Sequence, residues 1–181
     1  MSDNGAPPSS SAAEEPGVDA KLPETVRIAE VVLTRVESPP SLACWSGCFP
    51  EPAGAVETGL SLLIEPAAPP EEATLRFAHD VMSRFDVLVD QAVEYCRTRL
   101  RESQFELTAE ELSWLDLPEL PLAVPEATVW ADQSWAIRFT ESRFRLADPY
   151  GILVTFNGTQ PVDVEGLDDE GFDDEGFDDE E

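Results

Sequence analysis

Histidine is nearly missing from this chain: His79 is the only one in 181 residues. Any metal or catalytic site that needs two imidazoles from one chain is excluded, the His-Glu-x-x-His zinc helix among them. Basic residues are scarce as well. Lys plus Arg number 11 against 38 Asp plus Glu, a formal charge of -27. Nucleic-acid binding gains affinity from Lys and Arg that release phosphate counterions, so a chain with this field makes a poor nucleic-acid partner. An anionic membrane surface is disfavoured for the same reason. No run approaches the roughly 20 apolar residues of a membrane span. The first residues lack the basic region and apolar run of a signal peptide. Cys44, Cys48 and Cys96 are an odd number and a poor disulfide framework. Free thiols and a cytoplasmic location are therefore expected. There is no Gly-rich phosphate loop, no Gly-x-Ser-x-Gly elbow and no dinucleotide fingerprint, so neither a cofactor nor a catalytic residue is expected.

Apolar residues make up 42% of the chain, which is enough to build a core. Composition divides the chain in three. Residues 1–23, rich in Pro, Ser, Ala and Glu, read as a disordered leader. Residues 24–165 read as a single domain. Residues 166–181 are three copies of a five-residue repeat, starting at Gly166, Gly171 and Gly176. Five is neither a helix nor a strand period, and no basic residue follows Arg145, so this segment reads as a disordered acidic tail.

Within the domain, β-branched residues from Val26 to Val36 predict one strand, ended by Pro39 and Pro40. Leu42 to Cys48 predicts a second short strand, and the alternating Leu60, Leu62 and Ile64 a third. From Glu71 to Glu102 there is no Gly or Pro. Ala78, Val81, Met82, Phe85, Leu88, Val89, Ala92, Cys96 and Leu100 recur at helical steps, which predicts one long amphipathic helix. Thr108 and Glu111 form the capping-box pattern of a short second helix. Pro118, Pro121 and Pro125 read as a connector. Trp135, Ile137 and Phe139, then Ile152, Val154 and Phe156, alternate as strands, with turn chemistry at Asp148–Gly151 and a hairpin signal at Asn157–Gly158. The predicted fold is α+β: a mostly antiparallel sheet with one long amphipathic helix packed on a face. Its core should include Leu62, Ile64, Val81, Phe85, Val89, Trp135, Ile137, Val154 and Phe156.

Few residues offer chemistry. His79 has no nucleophile beside it in sequence, and a helix-surface role is the simpler reading. Cys44, Cys48, Cys96 and His79 could supply four zinc ligands, but the spacing is loose and Cys96 lies on the apolar stripe. An EF-hand loop started at Asp168 puts Phe172 where an oxygen ligand is required, so it fails. Trp45, Trp114, Trp130 and Trp135 could line a pocket or interface, although such residues are more often core, the better reading for Trp135. In the tail, Phe172 and Phe177 sit among carboxylates like short anchors for a basic, partly apolar groove. The candidate partner-binding residues are Asp168, Asp169, Glu170, Phe172, Asp173, Asp174, Glu175, Phe177, Asp178 and Asp179.

Trp45-x-Gly47, the strand Leu60-x-Leu62-x-Ile64, the long helix and Asp148-x-x-Gly151-x-x-Val154-x-Phe156 with a following Val-x-Val strand carry a resemblance. Over residues 26–165 the chain resembles a group of uncharacterised bacterial α+β proteins, some of them similar to toxin-immunity proteins. The resemblance implies an inhibitor of a toxin and supplies no catalytic residue. Charge argues in the same direction, since -27 steers a cationic surface inward. The expectation is a non-catalytic acidic binding protein for a basic protein partner, of the immunity type. The alternatives are a regulatory or scaffold protein that docks through its Phe-acid tail, and an enzyme built on carboxylates.

Overall fold

The computed structural model describes residues 21–49 and 58–168. The expected leader up to residue 20 and the expected tail from residue 169 lie outside the described residues.

Val26 and Ile28 alternate inward, as do Val31 and Leu33, but they lie on two strands. β1 (Thr25–Ile28) and β2 (Val31–Val36) form a hairpin closed by the pair Ile28 and Val31. Ala29, at φ 51, makes the reversal. This corrects the single strand expected over 26–36: Ala29-Glu30 carries none of the usual turn chemistry, so local propensity hid the turn. β3 (Ala43–Phe49) and β4 (Thr58–Ile64) follow, antiparallel, with Trp45 opposite Leu62.

The expected single helix over 71–102 is two. α1 spans Glu72–Met82 and α2 spans Phe85–Arg99. The break needs no Gly or Pro. The Ser83 and Arg84 N–H groups donate to the carbonyls of His79 and Val81. The Ser83 hydroxyl donates to the Asp80 carbonyl at 2.9 Å. A side chain that bonds back to the preceding turn competes with the helical ladder and bends it. The bend suits the packing, since α1 meets β1 at one edge of the sheet while α2 meets β8 at the other.

α3 (Ala109–Trp114) starts with the capping box expected at Thr108 and Glu111. β5 (Leu122–Trp130) then runs parallel to β4, with Leu60 opposite Ala127. The prolines had marked this stretch as a connector. Pro125 is tolerated because the β4 pairing starts one residue later, at Gly59 and Glu126, and because Val124, at φ 51, interrupts the strand beside it. β6 (Trp135–Ser142), β7 (Pro149–Asn157) and β8 (Gln160–Asp168) complete an antiparallel meander. The sheet has eight strands in chain order, β1 to β8, all antiparallel except β4 with β5.

Two expectations at the C-terminal side shift. The Asp148–Gly151 turn is the start of β7, where Gly151 takes φ +97. A Cβ there would lie 2.1 Å from the Phe139 carbonyl oxygen, so glycine allows the close approach of β7 to β6. The first tail repeat also belongs to the sheet in part, because β8 continues through Gly166 and Leu167 to Asp168, which pairs with Pro149. The other end of the domain likewise reaches beyond expectation: Leu22 packs against the core, and the Pro23 carbonyl accepts the Trp45 indole N–H at 2.9 Å.

All three helices lie between β4 and β5 in sequence and cover one face of the sheet. The core is built between them, from Leu33, Trp45, Leu62, Val129, Ile137 and Val154 on the strands and Ala78, Val81, Leu88, Ala92 and Cys96 on the helices. Of the nine expected core residues, eight are buried, and Val89 packs half-buried at the margin. Trp135 stacks on Phe156 at 4.1 Å, and its indole N–H donates to the Gly158 carbonyl in the hairpin turn.

Candidate interaction surface

Period-two alternation sends every second residue of these strands away from the helices. Among the described residues that second face holds no buried side chain except Ala136. Its middle row follows the register from strand to strand: Thr34, Ser46, Ser61, Thr128, Ala136, Thr155 and Asp163. These are short side chains, and from Ser46 to Thr155 they are half-buried or buried although no layer covers them. Beside them runs an apolar row, Val36, Cys44, Leu63 and Trp130. Val36 remains 41% exposed, a large apolar side chain left to water. On the other flank lie Glu126, Arg138, Leu153 and Glu165.

Charge on this face is acidic. The Arg138 guanidinium is engaged by Glu126 across the β5–β6 ladder at 2.7 Å. Arg27 stands at the β1 edge, on the solvent side of a strand whose Val26 and Ile28 point inward. Glu65, Asp132, Asp163 and Glu165 are exposed carboxylates around the margin. Near the ends of β4 and β5 the face sinks into an open depression of about 580 Å³, lined by Leu63, Glu65, Trp130, Ala131, Asp132 and Thr155, with Ser134 at its rim. The turn that follows β5 holds Asp132 in place: the N–H and hydroxyl of Ser134 donate to its Oδ1 at 2.9 and 2.6 Å. These two bonds hold the Asp132 carboxyl below its usual value.

The other candidate chemistry is dispersed. His79 is exposed on α1, 3.6 Å from the Asp80 carboxylate beside it. Cys96 is buried under the helices, and that burial pushes its thiol up to about 12. Cys44 lies on the opposite face of the sheet, its thiol raised by partial burial. Cys48 is four residues along the same strand, roughly 13 Å at strand rise, too far for a shared metal or a disulfide. The four possible zinc ligands are thus not brought together. No group of three or more metal-binding side chains occurs among the described residues, and no helix among them is long and apolar enough to cross a membrane.

One carboxylate among the described residues is buried. Glu111, 4% exposed, accepts the Arg145 N–H at 2.7 Å and the Thr108 N–H and hydroxyl at 2.8 Å each. Burial alone would raise this carboxyl. The three hydrogen bonds and the nearby Arg145 charge outweigh it and hold the group below its usual value. A general acid needs a raised carboxyl; this arrangement makes Glu111 a strut between α3 and the short 3-10 turn at Arg145–Ala147.

Of the tail residues singled out in sequence, Asp168 ends β8, and Asp169, Glu170, Phe172, Asp173, Asp174, Glu175, Phe177, Asp178 and Asp179 lie outside the described residues. The residues of the open face were missed. Trp130 was named only as one of four tryptophans that could line a pocket or interface, and its strand was not read because Pro118, Pro121 and Pro125 marked a connector; Ala127 and Val129 nonetheless alternate with Thr128 and Trp130 and carry a legible strand signal. Compared with protein-family models, with curated proteins and with solved structures, the chain has no match.

Proposed function

We propose that this protein is a non-catalytic, acidic binding protein that neutralises a basic protein partner, in the manner of an immunity-type inhibitor, and that the open face of the sheet receives that partner. The observation that carries the reading is the uncovered face itself. It combines an apolar row, Val36 to Trp130, with a carboxylate margin, and a partner surface that is basic and partly apolar complements it in both respects. The charge of -27 adds long-range attraction. Against a carboxylate-based enzyme stands the chemistry of Glu111 and Asp132, the two carboxyls displaced from their usual values among the described residues: both are displaced downward.

The test is capture from the native host at low and moderate salt, with three baits: the full chain, Thr128→Arg, and a chain ending at Asp168. The end point matters, because a deletion starting at residue 166 would remove part of β8. A basic protein that binds the full chain, is lost with Thr128→Arg and has its own activity inhibited by the full chain supports the reading. No basic protein enriched even at low salt, where charge attraction is greatest, refutes it. Capture retained by Thr128→Arg but lost on removal of residues 169–181 points instead to a regulatory or scaffold protein that docks through its Phe-acid tail.

A further inference from the structure

We infer that the depression beside Trp130 is a seat for one arginine side chain of a protein partner. This rests on the reading of the open face as the partner's surface. The walls of the seat differ in kind. Leu63 and Ala131 offer apolar surface for a methylene stem. The Trp130 indole, half-buried at the end of β5, offers a ring to stack on. The indole N–H groups of Trp45 and Trp135 are bonded to backbone carbonyls inside the fold, whereas that of Trp130 has no protein acceptor among the described residues. Glu65 and Asp132 supply two carboxylates, and no basic side chain lines the depression.

Arginine fits this set better than lysine does. Its planar guanidinium stacks on an indole and presents a fork of donors to carboxylates, and it is more weakly hydrated than an ammonium. Both Ser134 bonds land on Oδ1 of Asp132, which leaves Oδ2 for a guest. The volume, about 580 Å³, lies in the usual range of ligand sites and exceeds one side chain, so the guest's backbone shares it. The seat is shallow and open, which suits an anchor delivered by a larger partner rather than a free small molecule.

The probe is N-acetyl-arginine methylamide, titrated into the full chain while the four indole N–H signals are followed by NMR. Trp130 is identified from the spectrum of Trp130→Phe. The Trp130 signal should move and saturate, while those of Trp45 and Trp135 stay in place. The lysine analogue should bind more weakly, and the uncharged citrulline analogue should give no saturable shift. In Glu65→Gln/Asp132→Asn the response to the arginine probe should vanish, although the amide oxygen introduced at position 132 can still accept the Ser134 bonds and keep the turn. An equal response to citrulline, or none to arginine, overturns the seat. With a captured partner in hand, Trp130→Ala should weaken binding at least about 30-fold, the scale of an interface hot spot, and the double carboxyl variant should weaken it too. If both variants bind as wild type while Thr128→Arg does not, the seat is refuted and the surface stands. If all three bind as wild type, both are refuted.

Discussion

Replacing Glu111 should reveal how the helical layer is fastened to the C-terminal half of the sheet. The carboxylate sits at the third position of α3 and closes the capping box with Thr108. Its other oxygen reaches 34 residues along the chain to the Arg145 N–H. Around it, Trp114 meets Phe144 edge-on at 5.6 Å, and Arg143 lies over Trp114. Glu111→Ala leaves Thr108 as the N-cap but removes the other half of the capping box, so the Thr108 N–H loses its acceptor, at about 1 kcal/mol. It also strips the Arg145 N–H of its acceptor, at about 1–3 kcal/mol for an orphaned buried donor. The sum is about 2–4 kcal/mol, or roughly 4–16 °C in Tm for a domain of this size. Glu111→Gln keeps the shape and one acceptor oxygen, so it should lose about half as much. The folded carboxyl lies below its usual value, so the carboxylate contributes fully above the unfolded value, near 4.3, and its contribution fades as pH falls through the folded value. The stability gap between wild type and Glu111→Gln should therefore be widest near neutral pH and close in acid. Urea unfolding of both proteins from pH 7 down to pH 3 measures it. An alanine variant within about 0.5 kcal/mol of wild type, or a glutamine gap that does not change with pH, would refute the strut.

Three further outcomes follow from the geometry. Gly151→Ala places a methyl 2.1 Å from the Phe139 carbonyl oxygen at φ +97, and should cost about 3 kcal/mol or more, read as a large drop in Tm or as insoluble expression. Trp135→Phe deletes the hydrogen bond to the Gly158 carbonyl and thins the stack on Phe156; the urea midpoint should fall by the equivalent of about 1–2 kcal/mol with an unchanged m-value. Iodoacetamide at pH 8 should label exposed Cys48 first and half-buried Cys44 more slowly, while Cys96, its thiol pushed up to about 12, should react only on unfolding. Peptide mass mapping gives the order, and native labelling of Cys96 at the Cys48 rate would contradict the burial.

Much of the fold was legible because the signals were periodic. Leu60, Leu62 and Ile64 alternate, as do Trp135, Ile137 and Phe139, and all six are buried on one face. The capping box at Thr108–Glu111 and the hairpin at Asn157–Gly158 are local chemistry that tertiary context did not override. The misses share a different cause. Neither the turn at Ala29 nor the break at Ser83 carries Gly or Pro, and each is set by what the flanking residues pack against. Pro125 misled in the opposite sense, because its place one residue before the β4 pairing cannot be read from sequence.

The open face was illegible for a deeper reason. A strand whose outward residues are Ser, Thr and Cys looks the same whether it faces water or a partner, and only the register shows that Val36, Cys44, Leu63 and Trp130 form one row. That register also separates stability from recognition. Trp45, Leu62, Val129 and Ile137 point into the helical layer and hold the fold. Their neighbours Ser46, Ser61, Thr128 and Trp130 point the other way and are half-buried. Substitutions on the open face should then fall within about 0.5 kcal/mol of wild-type stability when they are small and polar, as surface changes do. Loss of binding in the Glu65 and Asp132 variants would consequently report on the surface itself and not on a weakened fold, and the larger Thr128→Arg counts in the same way once its fold is shown to be intact. Circular dichroism and the urea midpoint decide this for each variant before any binding is measured. Thr128 is half-buried between Ser61 and Ala136, so Val36→Glu, at an exposed position of the same face, serves as a second probe. Early unfolding of both Thr128→Arg and Val36→Glu would mean that the face is covered, and the open face would have to be abandoned as the partner's surface.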